Sequence, residues 1–144
     1  MITFNAEGVE LPALPEAQTV RWLTQVARRW GRTVGQINYV FVGDDEILRL
    51  NRQFLGHDYF TDHIGFDYGT QSIASGDIYI SLDTVRTNAP LYGSTFQEEL
   101  LRVVAHGLLH LCGLDDHTPE EQQRMRQAED EALAPPLSPP SKSP

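Results

Sequence analysis

A single cysteine, Cys112, stands among 144 residues, so the chain cannot form an internal disulfide and offers no cysteine cluster for zinc. No apolar run approaches the roughly 18 residues needed to span a bilayer. Met1–Glu7 lacks the basic-then-apolar order of an ordinary secretory signal, which predicts a cytoplasmic protein with no membrane partner. Lysine is nearly missing too: Lys142 is the single one beside ten arginines. Lys and Arg total 11 against 20 Asp and Glu, a formal net charge of −9. So acidic a chain is a poor general ligand for nucleic acid, and no DNA partner is expected. Arginines converging on one cleft would still fork a phosphate.

Forty per cent of residues are apolar, enough to build one core at this length. Residues 2–6 alternate weakly and predict a strand. Pro15-Glu16 opens a helix with Val20, Leu23, Ala27 and Trp30 on one stripe and Gly31 at its end; Arg21, Arg28, Arg29 and Arg32 decorate its solvated face. Residues 36–42 are β-branched and aromatic and predict a second strand. Asp44 is placed to cap a short helix through about Phe54, with Ile47, Leu48 and Leu50 inward. A polar loop over 55–63 carries His57 and His63, read as surface histidines, with a general-acid role as the alternative. Strands follow at 64–68 and 77–82, while 84–89 carries no clear signal.

Ser94 and Gln97 form a capping-box pattern ahead of the most apolar helix of the chain, which Gly113 ends. Thr118-Pro119-Glu120-Glu121 starts a last helix, running to about Leu133. Five of the nine prolines fall in 135–144, predicting a disordered tail after a domain of residues 1–134. The fold class is α+β: a single domain, a small mixed sheet flanked by helices, with a central buried helix that binds a metal.

That helix carries His106-Gly-Leu-Leu-His110. Residues four apart lie one turn above each other, about 40° apart, so both imidazoles can reach one ion. Two imidazoles on an apolar helix need partners; histidines bonded to backbone would satisfy that equally. Gly113 lets the chain turn out of the helix, and Asp116 or His117 can then return as a third ligand. The pattern resembles the metzincin zinc motif, in which the third ligand lies ten residues after the first. Spacing selects Asp116, residue type selects His117, and both stay open. Three protein ligands to Zn²⁺ would leave a fourth position for water, the mark of a catalytic site. Gly107 occupies the place where such a protease needs its glutamate base, so peptide hydrolysis is not expected.

The stretch from His106 through Gly113 to Asp116 and His117 resembles the signature of the YbeY family, bacterial ribosomal RNA maturation factors described as zinc-dependent endoribonucleases. Asn51–Phe54 with Asp58, Thr61-Asp62 and Phe66 matches a second family segment, and Gly76-Asp-Ile-Tyr-Ile-Ser81 a third. The resemblance covers roughly residues 36–133. It departs at Asp116, where the family usually has a third His, at Leu55, where it has an Arg, and at Phe60, where it has a Pro. It implies a sheet flanked by helices, a metal cleft holding one Zn²⁺, and single-strand RNA cleavage in 16S rRNA 3′-end maturation and ribosome quality control on the small subunit.

Cleavage needs charge stabilised on the phosphoryl group. With Leu55 in place of arginine, the sequence offers Arg102, one turn before His106, as the catalytic clamp, with Glu99 positioned to hold it; an ordinary helix ion pair is the plainer alternative. Arg52 and Arg86 are weaker candidates. Thr61 and Asp62 are placed to orient a metal-bound His, and Cys112, about 240° around the helix from His106, faces away as an inert thiol.

Overall fold

The computed structural model describes residues 1–56 and 61–140. Four strands form one mixed sheet: β1 (Ile2–Ala6), β2 (Thr33–Val42), β3 (His63–Asp67) and β4 (Ile73–Ser81), in the order β1-β2-β4-β3. β1 and β4 run parallel to β2, while β3 pairs antiparallel with β4. The helices are α1 (Glu16–Arg29), α2 (Asp44–Leu50), α3 (Leu82–Leu91), α4 (Phe96–Leu111) and α5 (Pro119–Leu133), and α2 continues into a π-helical turn over Asn51–Leu55. No helix among the described residues is long and apolar enough to cross a membrane.

α4 lies across the sheet because its apolar side has nowhere else to go. Leu100, Val104, Leu108 and Leu109 are fully buried in one cluster with Ile37, Ile78 and Ile80 of the sheet. Tyr39 on β2 donates its hydroxyl to the Val104 carbonyl at 2.8 Å, so the one polar atom of a buried ring is satisfied. The helix lies close on the sheet at Gly107: a Cβ there would sit 2.9 Å from Ile78 Cγ2. The glutamate base of a metzincin therefore has no room at this position, and its absence is a packing requirement of the helix–sheet contact.

Several local readings shift. The unassigned 84–89 stretch lies within α3, whose start is capped by Ser81 Oγ accepting from the Thr84 amide. Asp44 does not cap α2; Gly43 takes the cap position, and the Asp44 carboxylate accepts from the Ser81 and Thr84 hydroxyls at 2.6 Å each, tying α2 to α3. Leu48 is half-buried, whereas Ile47 and Leu50 are buried. The capping box of α4 falls one residue later than predicted, on Thr95 and Glu98, because the Ser94 amide is already committed to the Ala89 carbonyl. Thr118 and Glu121 form the box of α5. Arg32 is drawn off the solvated face to donate to the Thr70 carbonyl at 3.1 Å. Of the tail, residues 135–140 are described; Leu137 packs against the main core and the Ser138 amide donates to the Ala134 carbonyl.

Candidate metal centre

α4 points its buried stripe at the sheet and one narrow face outward. Glu99, Arg102, His106 and His110 follow each other on that outer face at intervals of three and four residues. The Nε2 atoms of His106 and His110 lie 3.0 Å apart, aimed at one point. Cys112 ends the helix and Gly113, with φ +96°, adopts the left-handed conformation that turns the chain back. The return delivers Asp116: its Oδ2 lies 3.3 Å from His106 Nε2 and 3.4 Å from His110 Nε2.

His117 does not join them. Its amide donates to Glu121 at the start of α5 and the residue is exposed at the cleft rim. The His117 amide is held by the α5 capping box, while the Asp116 carboxylate faces the two imidazoles.

A third imidazole arrives from the sheet. His63 opens β3, held in register against Ile80 of β4, and its ring centroid lies 4.6 Å from that of His106 and 5.5 Å from that of His110. Ligand nitrogens of His63, His106 and His110 fall within 4.8 Å of one another. Residue type and the polar loop pointed to a surface histidine; strand pairing places it at the centre instead. His57 lies outside the described residues.

Carboxylates stand behind two of the rings. Glu129 on α5 accepts from His106 Nδ1 at 2.6 Å, and Asp62 accepts from His63 Nδ1 at 2.8 Å. A carboxylate can only accept, so both rings carry their proton on Nδ1 and turn a Nε2 lone pair to the shared point. Asp62, offered by the sequence to orient a metal-bound His, is bonded to His63. Glu129 was not foreseen, although a signal exists: it lies on the same α5 face as the buried Met125, Ala128 and Ala132.

The electrostatics follow from these contacts. Burial works against charge on His106, but the bond to Glu129 and the charges of Glu129, Asp62 and Asp116 prevail, and its pKa is raised. His110 is lowered by burial and by the neighbouring His106 and His63. Burial pushes Asp62 up, yet the His63 bond and the two imidazoles bring it below the usual carboxylate range. Cys112 is buried and faces away, its thiol pushed up to about 11 by burial, so it is inert.

Arg102 reaches the cleft beside His106, but its predicted partner is wrong. Nη1 donates to Glu129 and Nη2 to Asp130, both at 2.9 Å, because α5 packs over α4 and supplies a closer pair of acids than Glu99. Arg86 pairs with Asp83 and lies over the Phe96 ring, away from the imidazoles. Two clefts meet at the cluster. One, of about 490 Å³, is walled by Leu55, Thr61, His110 and Asp116. The other, of about 300 Å³, is walled by Tyr92, Glu99, Arg102 and Arg126.

Three imidazoles converging on one point, with the Asp116 carboxylate beside two of them and two rings locked by other carboxylates, form a donor set suited to a divalent transition metal. Comparison with known proteins agrees with such a fold. The profile of the Endoribonuclease YbeY family matches residues 3–135. The protein named Endoribonuclease YbeY of Bacteroides thetaiotaomicron is 47% identical over 133 residues, covering 92% of this chain and 97% of that one. Its namesake in Phocaeicola vulgatus is 48% identical over 134 residues, covering 93% and 97%. A Thermotoga maritima protein known from its solution structure superposes with a TM-score of 0.62 at 30% identity, covering 92% of this chain and 89% of that one. The chain belongs to the YbeY endoribonuclease family.

Proposed function

We propose that the protein is a zinc-dependent, single-strand-specific endoribonuclease of the cytoplasm, acting in 16S rRNA 3′-end maturation and ribosome quality control on the small subunit. The observation that carries the chemistry is the meeting of His63, His106 and His110 at one point, with Asp116 Oδ2 3.3 and 3.4 Å from the His106 and His110 Nε2 atoms. These residues would hold one Zn²⁺ per chain, with His117 outside the set. When bound, the ion would supply Lewis acidity toward a phosphoryl oxygen and toward water, which would join the four protein donors as a fifth ligand.

The chain's own residues supply the rest. Glu129 and Asp62 fix the tautomers of His106 and His63 and hold the rings still. Arg102 is held by Glu129 and Asp130 at the edge of the cleft, where its guanidinium adds positive potential beside the scissile phosphate; its side chain remains 24% exposed, within reach of solvent. Leu55 presents an apolar wall where the family has an arginine.

The test is metal content by mass spectrometry together with cleavage of a single-stranded RNA. About one zinc per chain, with cleavage lost in His110→Ala at an unchanged fold, is the expected result. A metal-free active enzyme would overturn it. Leu55 favours a second reading, a non-catalytic ribosome-assembly factor whose metal only braces the fold. In that case His110→Ala lowers the melting temperature, and no RNA is cleaved by the parent chain.

A further inference from the structure

Glu99 is a carboxylate that the metal centre leaves unused. It is only 5% exposed, and its carboxylate makes no hydrogen bond or ion pair with any of the described residues, since Arg102 has turned to Glu129 and Asp130. Among the described residues no fully buried polar side-chain atom lacks a partner, so the Glu99 oxygens are open to the cleft of about 300 Å³ beside His106. Burial, and then the nearby charge of Asp62, raise its pKa above the ordinary carboxylate value. Such a group is costly to leave unmatched.

The walls of this cleft narrow the identity of what would match it. A carboxylate offers two acceptors side by side, so its complement is a pair of parallel N–H donors. A cation is the weaker fit, because the acidic side chains here do not gather within metal-binding distance; the only such group among the described residues is the three imidazoles. Tyr92, 59% exposed, stands at the rim with its ring free to stack. Arg102 and Arg126 flank the opening and suit a phosphate on either side of a stacked base.

Of the four RNA bases, guanine alone carries two adjacent donors, N1–H and the N2 amine, on one edge; adenine, cytosine and uracil carry one donor position each. We propose that the cleft beside His106 is a guanine subsite, in which Glu99 reads the base edge and Tyr92 covers its face. The proposal rests on RNA being the substrate and specifies which nucleotide lies next to the metal.

The experiment titrates the full-length chain, as purified, with 2′-O-methyl pentanucleotides that are all uridine except for G, A, C or U at the centre, followed by NMR or fluorescence anisotropy. The G-centred strand should bind about tenfold or more tighter than the other three. Glu99→Gln should erase that preference while leaving zinc content unchanged, and Tyr92→Ala should weaken all four strands with Tyr92→Phe retaining affinity. Equal affinity for the four strands, no binding of any, or a preference that survives Glu99→Gln would overturn the subsite. Should Glu99→Gln fail to fold, the Tyr92 pair and the parent's base preference still decide. A parent chain that cleaves RNA at random bases sinks the guanine subsite and leaves the nuclease reading intact. One that prefers the G-centred strand yet cleaves no RNA does the reverse.

Discussion

Glu129 on α5 holds His106 Nδ1 on α4 at 2.6 Å while its other oxygen accepts from Arg102 at 2.9 Å. One buried carboxylate thus sets the tautomer of a ring in the imidazole cluster and anchors the Arg102 guanidinium. Glu129→Gln keeps the shape but can no longer hold both charged neighbours. Zinc affinity should fall about 10–100-fold, the usual loss when the group behind a ligand is removed, and RNA cleavage should fall with it. A competition titration against a calibrated chelator reads the affinity directly.

The geometry separates Asp116 from His117. Asp116→Ala should weaken zinc binding by more than about tenfold, whereas His117→Ala should change it by less than about threefold. The reverse order would place the third ligand on the exposed residue and mean that the turn after Gly113 rearranges around the metal.

His63→Ala removes the imidazole brought in by β3. Loss of a nitrogen donor should cost more than about tenfold in metal affinity and change the visible spectrum of the cobalt-substituted protein. An unaltered spectrum would confine His63 to packing.

Gly107→Ala tests the helix–sheet contact. Alanine is the better helix former by about 1 kcal/mol, but its Cβ would lie 2.9 Å from Ile78 Cγ2 in a fully buried layer. Overpacking should prevail, destabilising the fold by about 1–3 kcal/mol in a urea melt.

Metal binding should depend on pH with a fixed sign. The raised His106 keeps its proton to higher pH than an ordinary imidazole, and zinc binds only the neutral ring. Zinc affinity should therefore rise as pH increases from about 6 and level off above the His106 pKa, with proton release visible by calorimetry in buffers of different ionisation heat. In the metal-free chain the contribution runs the other way. The stabilisation from protonated His106 against Glu129 is full below the ordinary imidazole value and is lost as pH rises through the raised one.

The helical face bearing His106 and His110 and the glycine turn were legible in the sequence, because they depend on helical period and on one residue's tolerance of positive φ; the choice between Asp116 and His117 was not. His63 was not, since its position is fixed by pairing with Ile80, a contact between strands that no local pattern records. Arg102 was placed correctly on its helix but given the wrong partner: spacing along α4 shows Glu99, while the packing of α5 that brings Glu129 and Asp130 is a tertiary fact. The helix α3 was missed for a related reason. Its weakly amphipathic sequence contains Pro90, and it is held by the Ser81 cap and by Asp44 from a distant element.

The most direct measurement is X-ray absorption at the zinc edge of the purified protein. Nitrogen and oxygen neighbours at about 2.0–2.1 Å are expected, with the multiple-scattering signature of three imidazoles, reduced by one in each of His63→Ala, His106→Ala and His110→Ala. A zinc surrounded by oxygen alone, or a spectrum indifferent to all three substitutions, would contradict the three-imidazole site.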